Sequence, residues 1–281
     1  MKPRTLKLQL PHLSVAAREW GPEDGPPVLA LHGWLDNAAT FDRLAPLLPE
    51  FRIVALDLPG HGRSGHWAAG HGHHFIDWVV DAIAVTDALG WQRFSLMGHS
   101  MGAGIASLLP SVCPDRVVRL VLIEGLGPLS DPPDKAPEGL GVALSQESRL
   151  ELNTPRIFPS LDAAADARRR DSDLDRESAR ILVERGTVAT DGGVVFAHDP
   201  RLKTRSRVRF TEDQVLAFLA GIRCPALLIR ANEGWPVPEE VVARRAAVIH
   251  DAEVEIVAGG HHVHLTNPER VAPLIREFLS P

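Results

Sequence analysis

The chain places one serine between two glycines, Gly98-His99-Ser100-Met101-Gly102, directly after the apolar run "FSLM" and at the start of "MGAGIASLL". A serine hydroxyl is a weak nucleophile until a neighbouring base takes its proton. The G-x-S-x-G spacing at a strand-to-helix turn suits that chemistry. A sharp turn strains the backbone, and glycines without Cβ atoms admit close approach. The helix that follows aims free N–H groups and its positive end at developing negative charge. The plainer role for Ser100 is a helix N-cap, which serine also fills well. A base is available in "VAGGHHVHLTNPE", where His261, His262 and His264 share the loop after the last apolar run. Imidazole takes a proton near neutral pH; the plainer reading of three loop histidines is a surface cluster. In "LHGWLDN" an early run ends at His32 and Gly33. The loop there offers the backbone N–H of Trp34 as an oxyanion donor, with the N–H of Met101 as the second. His32, Gly33 and His99 border these positions and are the candidate substrate contacts.

These residues need elements to hold them. "PVLALHG", "FRIVALDLPGHG", "FSLMGHS", "RVVRLVLIEGLG", "CPALLIRANEG" and "AEVEIVAGGHH" are short runs rich in Val, Leu and Ile. Such runs read as strands buried on both faces of a parallel sheet. Between them, "FIDWVVDAIAVTDALG" has helical apolar spacing and ends at Gly90, a C-cap candidate, and "PERVAPLIREFL" opens on Pro268 after Thr266 and Asn267 as possible caps. Alternation of this kind implies βαβ units. "LKLQLPHLSVAAREW" lacks a helix between its two runs and is expected to form an antiparallel hairpin at the sheet edge. From 128 to 222 no clear buried strand is seen. Leu174, Ala179, Ile181 and Leu182 there suggest packed helices inserted into the sheet as a cap, dividing the chain into a core of 1–127 and 223–281 and a cap of 128–222. "ARRRDSDLDR" reads as a solvated, salt-bridged helix.

The bulk properties exclude more than they select. The 281 residues carry a net charge of -6, which argues against a nucleic-acid partner. Cys113 and Cys224 stand in no metal-type spacing, which favours a reduced, cytoplasmic protein. "MKPRTLKLQLPHLS" has no apolar core of a signal peptide, and no run approaches a membrane span. The histidines of "GHGRSGHWAAGHGHH" (His61, His66, His71, His73 and His74) lack interleaved acids or cysteines, so no metal is expected.

"HGW", "DLPGHGRS", "GHSMG" and "GGHHVHLTNPERVAPLIREFL" together resemble the α/β-hydrolase superfamily over nearly the whole chain. "HGWLDNAATF", "CPALLIRA" and "SARILVERG" are similar to its serine hydrolase-like subgroup. The resemblance implies an α/β fold with a mostly parallel eight-stranded sheet flanked by helices, and a helical cap inserted after the sixth strand. The family pattern G-H-x-x-H-L-x-x-P assigns the base to His261 and makes His264 a second, non-catalytic histidine. It also implies a structural role for Asp57. The acid departs from the pattern. Most members place an Asp where "ANEGWPVP" has Gly234. Two glutamates can replace it: Glu233 beside that position, and Glu124 at the end of "RLVLIE". Some relatives, among them a group of haloalkane dehalogenases, place their acid after that earlier strand. Glu124 is preferred, because the end of a buried strand holds it rigidly while Glu233 lies one residue out of register. The expected reaction is hydrolysis of a carboxylic ester of a small acyl substrate through an acyl-enzyme, without a cofactor. The alternatives are a carbon–carbon bond hydrolase with the same residues, and a non-catalytic protein that uses this fold to bind a small molecule or partner.

Overall fold

The apolar runs form a single eight-stranded sheet in the computed structural model, which describes residues 2–150, 155–170 and 172–280. The strands are β1 (Arg4–Gln9), β2 (Ser14–Trp20), β3 (Pro27–Leu31), β4 (Arg52–Leu56), β5 (Phe94–His99), β6 (Val117–Ile123), β9 (Ala226–Glu233) and β10 (Ala252–Gly260). Their order is β1-β2-β4-β3-β5-β6-β9-β10. β1 and β2 form the expected antiparallel edge hairpin, β2 meets β4 antiparallel, and the remaining pairs are parallel. Val28, Leu29, Ala30 and Leu31 of β3 are all fully buried, as a central strand covered on both faces requires. Successive side chains point to opposite faces, so Leu29 joins one apolar cluster while Val28 and Ala30 join the other.

Helices α1 (Phe75–Ala88), α2 (Met101–Val112), α6 (Glu212–Ala220) and α7 (Glu239–Ala247) cover the first face through Trp78, Ile105, Val215 and Val242. The second face carries α9 (Pro268–Leu279) and the turns around Phe41 and Leu44. Gly90 follows α1 with φ 72°, in the left-handed conformation expected of it. Asn267 stands at the N-cap of α9, but its side chain makes no capping bond. β10 also departs from expectation. Its run reads as buried, yet Val254 and Ile256 are exposed, because β10 is an edge strand that, among the described residues, pairs with β9 alone.

Between β6 and β9 lie α3 (Ala136–Leu150), α4 (Leu161–Arg169), α5 (Arg176–Gly186), the antiparallel pair β7 (Thr187–Thr190) and β8 (Gly193–Phe196), and α6. Leu174, Ala179 and Leu182 are buried there with Phe158 and Val183 in a separate small core. The insertion is therefore packed, as its apolar positions suggest, but it is not purely helical. Nor does it run to 222 as an independent layer: Val215 and Leu219 of α6 belong to the main core. Among the described residues, no helix is long and apolar enough to cross a membrane.

The insertion is anchored by a buried ion pair. Arg185 Nε of α5 donates to Asp57 Oδ1 at 2.8 Å, and both side chains are almost wholly buried. Asp57 also accepts the N–H groups of Ala38 and Arg63, so it ties three segments together. Beside it, Asn37 Nδ2 donates to Leu182 O at 2.9 Å. Removing one partner of such a pair leaves an uncompensated buried charge, at a cost of about 3–5 kcal/mol. Arg185→Ala is expected to lower the stability to urea by that amount, read as a reduced denaturation midpoint.

Candidate active site

Ser100 sits between the last residue of β5 and the first of α2, with φ 52° and ψ −115°. This left-handed backbone is costly for a residue with a Cβ, and the flanking glycines make it possible. A Cβ on Gly98 would collide with the Gly102 carbonyl, and one on Gly102 would collide with the Leu31 carbonyl of β3. The Ser100 N–H donates to Ile123 O at 2.9 Å, pinning the turn to the end of β6. Its hydroxyl makes no capping bond to α2. Instead, Oγ lies 2.9 Å from His261 Nε2.

His261 follows β10, and its Nδ1 lies 3.1 Å from Glu124 Oε2. Glu124 follows β6 with φ 54°. Its Oε1 accepts the N–H of Ala231 at 2.6 Å and its Oε2 that of Trp235 at 2.9 Å. The carboxylate is thus gripped by the end of β9 and the loop after it. A Cβ on Gly234 would collide with this carboxylate. Glu124 therefore fills the space into which a side chain at 234 would project. Glu233 is exposed at the end of β9 and makes no bond to His261 among the described residues.

Gly33 lies against the same turn: a Cβ there would stand 3.3 Å from Ser100 Cβ. The next residues carry Trp34 and then Leu35, whose φ is 59°. The backbone N–H groups of Trp34 and Met101 have no acceptor among the described residues. The expectation that His32 and His99 contact substrate does not survive. Both are fully buried. His32 Nδ1 donates to Gly33 O at 2.7 Å and its Nε2 accepts the Leu58 N–H at 2.9 Å, so the ring braces two loops. His99 Nε2 donates to His261 O at 2.9 Å, from behind the site. Burial pushes the pKa of both rings down. His264 is buried too, bonded to Thr40 Oγ1 at 2.8 Å and pushed down to about 3 by burial.

A charged network behind His261 was not legible as such. His262 donates its backbone N–H to Asp173 Oδ2 at 2.7 Å and its Nδ1–H to Asp173 Oδ1 at 2.5 Å. On its other side, Nε2 lies 3.3 Å from Asp36 Oδ2. Arg168 completes the chain by donating to Asp36 Oδ1 at 2.7 Å. Burial would lower the His262 pKa, but Asp36 and Asp173 override it and hold it up at about 9. Burial likewise disfavours charge on Asp36 and Asp173, yet His262, with Arg168 beside Asp36, keeps the first well below its ordinary value and the second at about 2. Arg168 and Asp173 come from "ARRRDSDLDR", where α4 ends at Arg169 and α5 starts at Arg176. The described residues of this run are mostly exposed, as expected, but it is not one continuous helix, and Arg168 and Asp173 reach from it to the core side chains of Asp36 and His262. Asp36 lies within "HGWLDN", where nothing local marks its carboxylate as buried.

By spacing alone Asp36, His99 and His262 could ligate an ion, since their donor atoms lie within 4.8 Å of one another. The electrostatics favour a proton there, because His262 sits between two carboxylates. A groove of about 430 Å³ lies elsewhere in the insertion, lined by Pro132, Leu140, Arg205, Arg207 and Val208, and includes neither Ser100 nor His261.

The buried histidines give stability a pH signature. The His262 pKa is raised from 6.5 to about 9, so its contribution is full below pH 6.5 and is lost as pH rises through 9. His198 and His264 are lowered to about 4 and about 3, so theirs is present above 6.5 and is lost as pH falls. The urea midpoint is expected to peak near pH 6.5 and fall on both sides, and His262→Gln is expected to remove the alkaline fall alone.

The comparisons with known proteins agree with this architecture. Residues 26–268 match the family described as alpha/beta hydrolase fold. The chain is 34% identical to a serine hydrolase-like protein of Danio rerio, over 98% of this chain and 88% of that one. It is similar to the crystal structure of a hypothetical protein of Pseudomonas aeruginosa, with a TM-score of 0.94 and 40% identity over 99% of both chains. It is also similar to a thioesterase domain from the curacin biosynthetic pathway, with a TM-score of 0.86 and 28% identity over 98% of this chain and 99% of that one. With this sheet order, the strained serine turn and these relatives, the chain belongs to the α/β-hydrolase fold family and is most like its serine hydrolase-like members.

Proposed function

We propose that the protein hydrolyses a carboxylic ester with Ser100 as nucleophile, His261 as general base and Glu124 as the acid that orients it. The observation that carries this reading is the continuous chain Ser100 Oγ–His261 Nε2–Glu124, at 2.9 and 3.1 Å. His261 Nε2 removes the proton from Oγ as it attacks the acyl carbon. Negative charge on the former carbonyl oxygen is met by the N–H groups of Trp34 and Met101, the second at the positive end of α2. His261 then gives its proton to the departing alkoxide, leaving an acyl-enzyme that water hydrolyses by the same steps. Glu124 holds the Nδ1–H and stabilises the imidazolium between transfers.

The surroundings support an apolar substrate. Trp34 and Trp235 are both more than half exposed, and the Trp235 ring centre lies 5.6 Å from that of His261. The exposed Trp235 face beside His261 suits an acyl chain or an aryl leaving group. A thioester is the second reading, favoured by the likeness to a thioesterase domain, and it would be opened by the same steps.

Hydrolysis of 4-nitrophenyl acetate and butyrate, with labelling by a fluorophosphonate, tests the reading. Ser100→Ala is expected to abolish both turnover and labelling, and equal turnover in wild type and variant would overturn the assignment. Glu124→Gln is expected to lower kcat by up to about 10⁴-fold, the loss known for a protease acid. Glu233→Gln is expected to leave it unchanged, and the reverse pattern would move the acid to Glu233.

A further inference from the structure

We propose that Asp173, which reaches from the insertion to the edge of the histidine loop, is a positioning residue for His261: it fixes that loop through His262, so that alignment of His261 with Ser100 requires the insertion to be seated. This inference rests on the reading of Ser100 and His261 as the reacting pair.

Asp173 grips the chain on both sides of His261. Its two oxygens accept the backbone N–H and the Nδ1–H of His262, at 2.7 and 2.5 Å. On the other side, its carboxylate lies against Gly260 so closely that a Cβ there would collide with it. His261 itself is thereby left free of Asp173, with its ring turned to Ser100 and Glu124. The core holds the same loop too, through the bonds from the His99 ring to His261 O and between Thr40 Oγ1 and His264.

The grip continues into the loop that carries Trp34. From Asp173 the charges alternate through His262 and Asp36 to Arg168, so the chain begins and ends in the insertion and passes through two core loops. An apolar contact follows the same route. Leu265, in the short helix α8 (Val263–Thr266) after His262, is fully buried in the insertion's own cluster with Leu174 and Leu182. A polar and an apolar contact of this loop therefore run to the insertion, beside those it makes with the core through His99, Thr40 and Val263. Loss of Asp173 removes the acceptors of the His262 N–H and Nδ1–H, leaving the ring with Asp36 and the backbone with only its carbonyl bonded to Leu265 and Thr266, which loosens the N–H side next to the base.

Displacement of a reacting group by about 1 Å can cost on the order of 100-fold in rate. The test measures kcat and KM for 4-nitrophenyl acetate, the rate of fluorophosphonate labelling and the Tm, in wild type, Asp173→Ala and Asp173→Asn. Asp173→Ala is expected to lower kcat and the labelling rate together, by about 10- to 100-fold, with KM nearly unchanged. Asp173→Asn keeps an acceptor for the His262 N–H and is expected to recover part of the rate. A residue that only secures the fold would lower Tm and leave the labelling rate of the folded protein untouched. Should Asp173→Ala fail to fold, Asp173→Asn carries the same comparison. Wild-type kcat and labelling in the folded variant would overturn the proposal. Absence of labelling in the wild type would instead overturn the reading of Ser100, and the role of Asp173 with it.

Discussion

The close approach of the β5–α2 turn to its neighbours governs the arrangement around Ser100. Gly102 stands against the Leu31 carbonyl and Gly98 against the first turn of α2. With no side chain at either place, the chain turns within one residue, and that residue takes the left-handed backbone that holds its hydroxyl clear of the helix. The same contact brings the end of β3 beside the start of α2, so Gly33 stands against the Ser100 side chain. A larger residue at Gly102 would push α2 away from β3, and one at Gly98 would push it away from β5. Ser100 pays for its strained backbone with support from two strands, through the fit at β3 and the bond to Ile123 of β6.

The carboxylate beside His261 shows how a site can keep its geometry while its sequence changes. Glu124 arises from the strand before the insertion, yet it is held by N–H groups of the segment after it. Its own left-handed backbone and longer side chain carry the oxygens across to β9. The insertion leaves the sheet directly after this residue and returns before β9, so the ends of β6 and β9 that together fix the carboxylate also fix where the insertion starts and stops.

Local features were legible and tertiary ones were not. Ser100 could be read because its strand, turn and helix follow one another in sequence. The sheet could be read because its central runs are apolar on both faces, as in β3. β10 has a similar composition, and only its place at the edge leaves Ile256 exposed. The histidines expose a further limit. Residue type alone offers His261, His262 and His264 equally, and their separate environments come from Glu124, Asp173 and Thr40, residues distant in sequence. His32 and His99 border the reacting residues in the chain but face inward, which depends on what packs over them. Asp173 was hidden for the opposite reason: a run dense in charge looks solvated, and nothing local marks the acid that reaches His262.

The contact between Gly234 and the carboxylate of Glu124 makes the two positions tenants of one volume. A side chain at 234 would enter only by pushing the far end of Glu124 aside, and with it the oxygens that hold the N–H groups of Ala231 and Trp235. The bare backbone at 234 is therefore the complement of the long side chain at 124: what one residue lacks in bulk is the room the other occupies.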